Sequence, residues 1–152
     1  MMRNNSGLMV TVLVLAGLHL AACQQVAGKV EAEHPAQVKR IDGTEHSSVT
    51  LTERAIQRLG LQTEQVREEK VTRKSQKLGD RKLVPYSALI YDSHGQTWIY
   101  TSPSARTFVR HKVEVDFIQG DVAVLKDGPA TGTVVASVGV AELYGTEFKV
   151  GH

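Results

Sequence analysis

Tyr91-Asp92-Ser93-His94 sets a carboxylate, a hydroxyl and an imidazole side by side, the groups that acyl-transfer enzymes combine into orienter, nucleophile and base. Catalytic groups converge from separate elements, however, and consecutive polar residues beside Gly95 serve more simply as a hairpin turn. The chain has no GxSxG, no HExxH and no phosphate-cradling glycine loop, so it is not expected to be an enzyme. Metal chemistry would fall to His34, His46, His94, His111 and His152, none of which pair at the short helical or CxxH spacing of a metal site. His34 and His46, with Glu31, Glu33, Asp42 and Glu45 close in sequence, are the candidates for holding a soft or borderline cation. His94 belongs to the turn, and His111 is expected on the apolar face of a strand. No resident cofactor is implied.

Cys23 is the only cysteine, which excludes an internal disulfide, a CxxC redox pair and a cysteine-based zinc cluster. It follows Leu20-Ala21-Ala22, and this Leu-small-small-Cys order resembles the lipobox read by lipoprotein-processing enzymes. Upstream lie Arg3 and an apolar run over residues 8–20, broken by Thr11, Gly17 and His19. A spanning helix needs roughly 20 largely apolar residues, whereas a charged start, an apolar centre and a small-residue exit describe a secretory signal peptide over 1–22. Cleavage between Ala22 and Cys23 would leave a covalent lipid on Cys23 as the membrane anchor. Each buried methylene contributes about 0.8 kcal/mol, and stable anchoring takes more than one acyl chain. An ordinary signal peptide with a cysteine beside its cleavage site is the alternative. The expected location is the cell envelope, lipid-anchored and facing the periplasm. Gln24 in place of Asp favours the outer over the inner membrane in a Gram-negative cell.

Without Arg3 the chain carries 17 basic and 16 acidic residues, interspersed along its length. With 5% aromatic content there are few stacking platforms for bases, so nucleic acid is not an expected partner. Residues 23–48 are polar, with Gly28, Pro35 and Gly43, and read as a flexible tether that cannot bury enough apolar surface to order itself. Regular structure is expected from Val49. Thr52 can cap a two-turn helix ending at Gly60, with Glu53 at its positive end and Leu51 packed on Ile56. Residues 62–72 suit an exposed strand or a charged loop, and Gly79-Asp80 a turn.

Five strands are then predicted over 83–91, 97–101, 107–118, 122–125 and 133–140, separated by polar or glycine-containing turns. In the third, Val109, His111, Val113, Val115 and Phe117 alternate with charged residues at the period of a half-buried strand. Trp98 and Tyr100 share one face of the second and are expected in the core, with an exposed partner site as the other reading. The segment after Tyr144 reads as a flexible end or as an edge that a partner strand extends. The predicted fold is mainly β, a small antiparallel β-barrel or sandwich with one short α-helix, preceded by the signal peptide and tether. The folded domain spans 49–148, and 149–152 form a tail.

Val84-Pro85-Tyr86-Ser87-Ala88-Leu89-Ile90 resembles the membrane-proximal domain of periplasmic adaptor subunits, the membrane fusion proteins, of resistance-nodulation-division efflux pumps. Gly95-Gln96-Thr97-Trp98-Ile99-Tyr100 resembles that family's next strand, and Phe108-Val109-Arg110-His111-Lys112-Val113-Glu114-Val115 the one after it. Val138-Gly139-Val140-Ala141-Glu142-Leu143-Tyr144-Gly145 resembles the close of such domains. The opening from Val49-Thr50-Leu51-Thr52 to Arg58-Leu59-Gly60-Leu61 is similar to a segment of the heavy-metal-type adaptors. The resemblance marks Val84, Pro85, Ala88, Leu89, Trp98, Tyr100, Val113 and Val115 as packing residues. It implies a role in transmembrane transport through contacts with efflux-pump subunits or a full-length adaptor. The form is truncated: only residues 66–82 stand where a full adaptor has its lipoyl-like domain, helical hairpin and β-barrel. The methionines that metal-type adaptors use for cargo have no counterpart, since Met1, Met2 and Met9 precede the cleavage site. A free-standing envelope lipoprotein that binds a small ligand or metal ion is the alternative function.

Overall fold

The computed structural model describes residues 34–150. The signal peptide, the cleavage site at Ala22 and Cys23, and the first part of the expected tether lie outside the described residues. The fold is mainly β: an antiparallel sheet curls into a half-barrel, and two short helices pack against it.

The chain enters through a hairpin of β1 (Ala36–Arg40) and β2 (Ser47–Leu51), paired from Ala36↔Leu51 to Arg40↔Ser47. Most of this hairpin falls in the stretch read as tether. Its isolated Val38 and Ile41 carry too little apolar signal to announce a strand. They gain an apolar surface because β2 also pairs with a distant strand, and Ala36 and Val38 pack on the core. Helix α1 (Glu53–Leu59) follows as expected. The Thr52 hydroxyl accepts the Ala55 N–H at 3.1 Å, and Gly60 closes the helix in the left-handed conformation at φ 60°.

Next come β3 (Gln62–Gln65) and β4 (Arg67–Arg73), separated by the buried Val66. The chain turns back at Lys74-Ser75, both with positive φ, into β5 (Gln76–Pro85). The turn expected at Gly79-Asp80 is therefore absent. Gly79, at φ 77°, lies within β5 where the pairing with β4 shifts between Val71 and Thr72, so this glycine serves a β-bulge. A short 3-10 turn over Tyr86–Ala88 interrupts the strand expected at 83–91 and leaves the two-residue β6 (Ile90–Tyr91). Then follow β7 (Thr97–Ser104), β8 (Thr107–Gln119), β9 (Val122–Asp127) and β10 (Val134–Val138).

The strand order is β3-β10-β7-β8-β9-β5-β4, with β1-β2 added beside β8 and β6 beside β7. The two ends of this path, β3 and β4, are neighbours in sequence. Val66 between them donates its N–H to the Thr133 carbonyl and accepts the Gly132 N–H, which draws the ends of the sheet toward each other.

Helix α2 (Val140–Phe148) closes the described chain and corrects two expectations: Val140 is helical rather than the end of a strand, and Tyr144 onward continues the helix. Gly139 makes the bend with φ 83°, and a Cβ there would stand 3.4 Å from Leu61. The helix buries Val140, Leu143 and Glu147, one face of a 3.6-residue period, against the sheet.

Three apolar clusters result. One, around Val49, Leu51, Tyr100, Phe108 and Leu143, joins both helices to the β1-β2 hairpin and the sheet. Another fills the curl with Val66, Val84, Ala88, Ile99, Val113, Leu125 and Val135. The third packs Val71, Leu83 and Val124 under the β4-β5 hairpin. β7 feeds two of them, so Trp98, Ile99 and Tyr100 are buried consecutively.

Candidate functional site

β7 and β8 pair with Tyr100 opposite Arg110 and Trp98 opposite Lys112, so these four side chains leave one face of the sheet. On β8 the buried positions change parity: Phe108 is buried beneath the helices, whereas farther along it is Val113 that is covered, inside the curl. Single alternation along β8 therefore misplaces His111, which is exposed. The same change brings Arg110, a residue of the expected solvent face, under α2.

There it meets Glu147. The Arg110 Nε–H donates to both carboxylate oxygens, at 3.0 and 3.2 Å, and the side chains of the two residues are 9% and 3% exposed. The Tyr100 hydroxyl donates to Glu147 Oε2 at 2.6 Å. Burial, then the adjoining carboxylate, pushes the Tyr100 hydroxyl far above the ordinary tyrosine range, so it stays a donor. A carboxylate out of water needs such partners, because its desolvation cost is offset only when its lone pairs are filled.

Two aromatic rings flank the cation. The Arg110 guanidinium carbon lies 4.4 Å from the Trp98 ring centre and 4.8 Å from that of Phe148. His46, just before β2, meets Trp98 edge-on at 5.5 Å, and its Nδ1 is buried with no hydrogen-bond partner. The Trp98 indole N–H donates to Asp92 Oδ2 at 2.9 Å. Asp92 Oδ1 takes the backbone N–H groups of His94 and Gln96 at 2.8 and 2.9 Å. The Trp98 hydrogen bond, with these backbone donors, holds the Asp92 carboxyl below its usual value. Asp92 thus organises the β6-β7 hairpin and orients Trp98. Ser93 and His94 are exposed, their side chains 3.4 Å apart, as residues of that turn.

His34 and His46 are not brought together. His34 precedes the pair Ala36↔Leu51 and His46 precedes Arg40↔Ser47, at opposite ends of a five-residue ladder rising roughly 3.3 Å per residue. Among the described residues no group of three or more His, Cys, Asp and Glu could hold a metal ion. Of the residues marked for packing, Val84, Ala88, Trp98, Tyr100 and Val113 are buried, and Pro85, Leu89 and Val115 half-buried. Tyr86 and Ser87 instead line an open cleft of about 620 Å³ with Glu64, Arg67 and Asp121. No described helix is long and apolar enough to cross a membrane.

No family model and no curated protein matches the chain. The Arg110, Glu147 and Phe148 cluster was not visible as a site in the sequence. The signal that could have found its far side is the spacing of Val140, Leu143 and Glu147, which places one carboxylate on the apolar face of a helix.

Proposed function

We propose that the chain is a lipid-anchored envelope protein whose β domain acts through protein contacts in transmembrane transport, as the membrane-proximal domain of an efflux-pump adaptor does, without covalent chemistry. The observation that carries this reading is the burial, in the order of the resemblance, of Val84, Ala88, Trp98, Tyr100 and Val113 within a curled antiparallel sheet. The lipobox-like Leu20-Ala21-Ala22-Cys23 supports the anchor and the periplasm-facing placement. Pump subunits or a full-length adaptor are the proposed partners, since the residues between β3 and β5 leave no room for the helical hairpin with which an adaptor reaches its channel.

The test is a crosslinking pull-down of the tagged protein from its native envelope, with Cys23→Ser as control and partners identified by mass spectrometry. Recovery of a pump subunit or adaptor that depends on Cys23 is the expected result. A partner set free of transport proteins would remove the efflux reading.

A further inference from the structure

We infer that the face around Arg110 is a docking surface for an acidic polypeptide segment. The inference rests on the proposal that the domain works by protein contacts, and adds the surface and the charge of the partner. The register builds the surface. Arg40 pairs with Ser47, and one step beyond the pair Ser48↔Val109 the ladder brings Ser47 opposite Arg110. Arg110 in turn pairs with Tyr100, and Lys112 with Trp98 in the next row. Paired residues share a face, so Arg40, Arg110 and Lys112 stand on one side of the sheet within roughly two strand spacings of about 4.8 Å.

Helix α2 covers this face only as far as Glu147. Arg40 and Lys112 beyond it are exposed, as is Phe148 at its end, at 46%. The acidic groups on the face are already engaged: Glu147 by Arg110 and Tyr100, Asp92 by Trp98 and the backbone. Among the described residues Arg40 and Lys112 make no ion pair, and Arg110 is only partly engaged. Arg110 uses only Nε toward Glu147, and among the described residues its Nη1 and Nη2 make no hydrogen bond. The guanidinium is nevertheless fixed by that carboxylate and by the rings of Trp98 and Phe148, so a partner carboxylate would meet donors already held in place. An arginine held between large aromatics, with one of them exposed, is the composition in which binding energy concentrates at protein interfaces.

The test titrates the full chain, in neutral detergent, with a fluorescein-labelled peptide alternating aspartate and leucine, and follows anisotropy. The asparagine–leucine peptide is the control, and phosphatidylglycerol vesicles are the competing anionic surface. Saturable binding of the acidic peptide that weakens with salt is expected. It should fall by about tenfold in R40Q/K112Q, whose side chains are exposed and whose melting temperature should not move. Arg110→Lys, which keeps the charge but loses the fixed guanidinium, should weaken it as well. Equal binding of both peptides, unaltered binding by R40Q/K112Q, or a loss confined to the vesicles would each overturn the inference. In the envelope pull-down, R40Q/K112Q that still recovers transport proteins would remove this surface and leave the proposed function standing.

Discussion

Glu147 is the residue on which most depends. Its carboxylate has two donors in a site almost closed to water, and it is also the counterion of a buried arginine. Glu147→Gln keeps the shape and removes the charge, which leaves Arg110 buried without its partner. Loss of about 3 kcal/mol in denaturant unfolding is expected, the range found when one member of a buried pair is removed. Tyr100→Phe should cost about 1.5 kcal/mol through the hydrogen bond to a charged acceptor. It should also change the alkaline limb of the stability curve. The native chain holds the Tyr100 proton well above the ordinary tyrosine value of 10.0, whereas the unfolded chain releases it near that value. The stability this contributes is complete below pH 10 and declines as pH rises toward the folded value. Unfolding followed above pH 10 should thus lose stability more steeply in the native sequence than in Tyr100→Phe.

Among the elements, the β4-β5 hairpin sets opposite charges across its ladder: Glu68 faces Lys82, Glu69 faces Arg81 and Lys70 faces Asp80, and a slip by one residue would put Glu69 opposite Asp80 or Lys70 opposite Arg81. The turn at Lys74-Ser75 is the weak point, because neither residue favours the positive φ it adopts. Replacing the two with Asn-Gly should raise the midpoint of thermal unfolding, with a gain of about 1 kcal/mol. Glycine also explains where elements were legible in the sequence and where not. Gly60 after a capped apolar pair marked the end of α1, and the turn before Thr97 marked β7. Gly79 looked the same but serves a bulge, and Gly139 starts a helix with no side-chain cap. β1 and α2 were hidden for a shared reason: each is short and gains its apolar contacts from residues distant in sequence. The alternation of β8 was correct for Val113 and Val115; it failed at His111, where the covered side of the sheet changes, and at Phe117, which the bulge after Val115 turns onto the other face with Leu83 and Val124. The lipobox-like segment was the clearest chemical signal, whereas the Arg110 cluster needed the fold to assemble it from β7, β8 and α2.

Across the molecule, the helices and the β1-β2 hairpin act as one cover over the cluster of Val49, Tyr100 and Phe108. Ending the chain after Val138 would remove Val140 and Leu143 from that cluster and Glu147 from Arg110. Such a variant should lose its cooperative melting transition and bind 1-anilinonaphthalene-8-sulfonate, the dye response of exposed apolar surface. Retention of a sharp transition would show that the curled sheet is stable on its own. The pairing order also bears on when the chain can fold at all. β3 has no partner until β10 exists, and β2 must wait for β8 before the hairpin gains its inner neighbour. A polypeptide emerging from the ribosome therefore stays open through most of its synthesis, and closing so many non-local pairs places refolding in roughly the millisecond-to-second range of β-rich domains. That delay would suit the export proposed for this chain, which requires a polypeptide still unfolded.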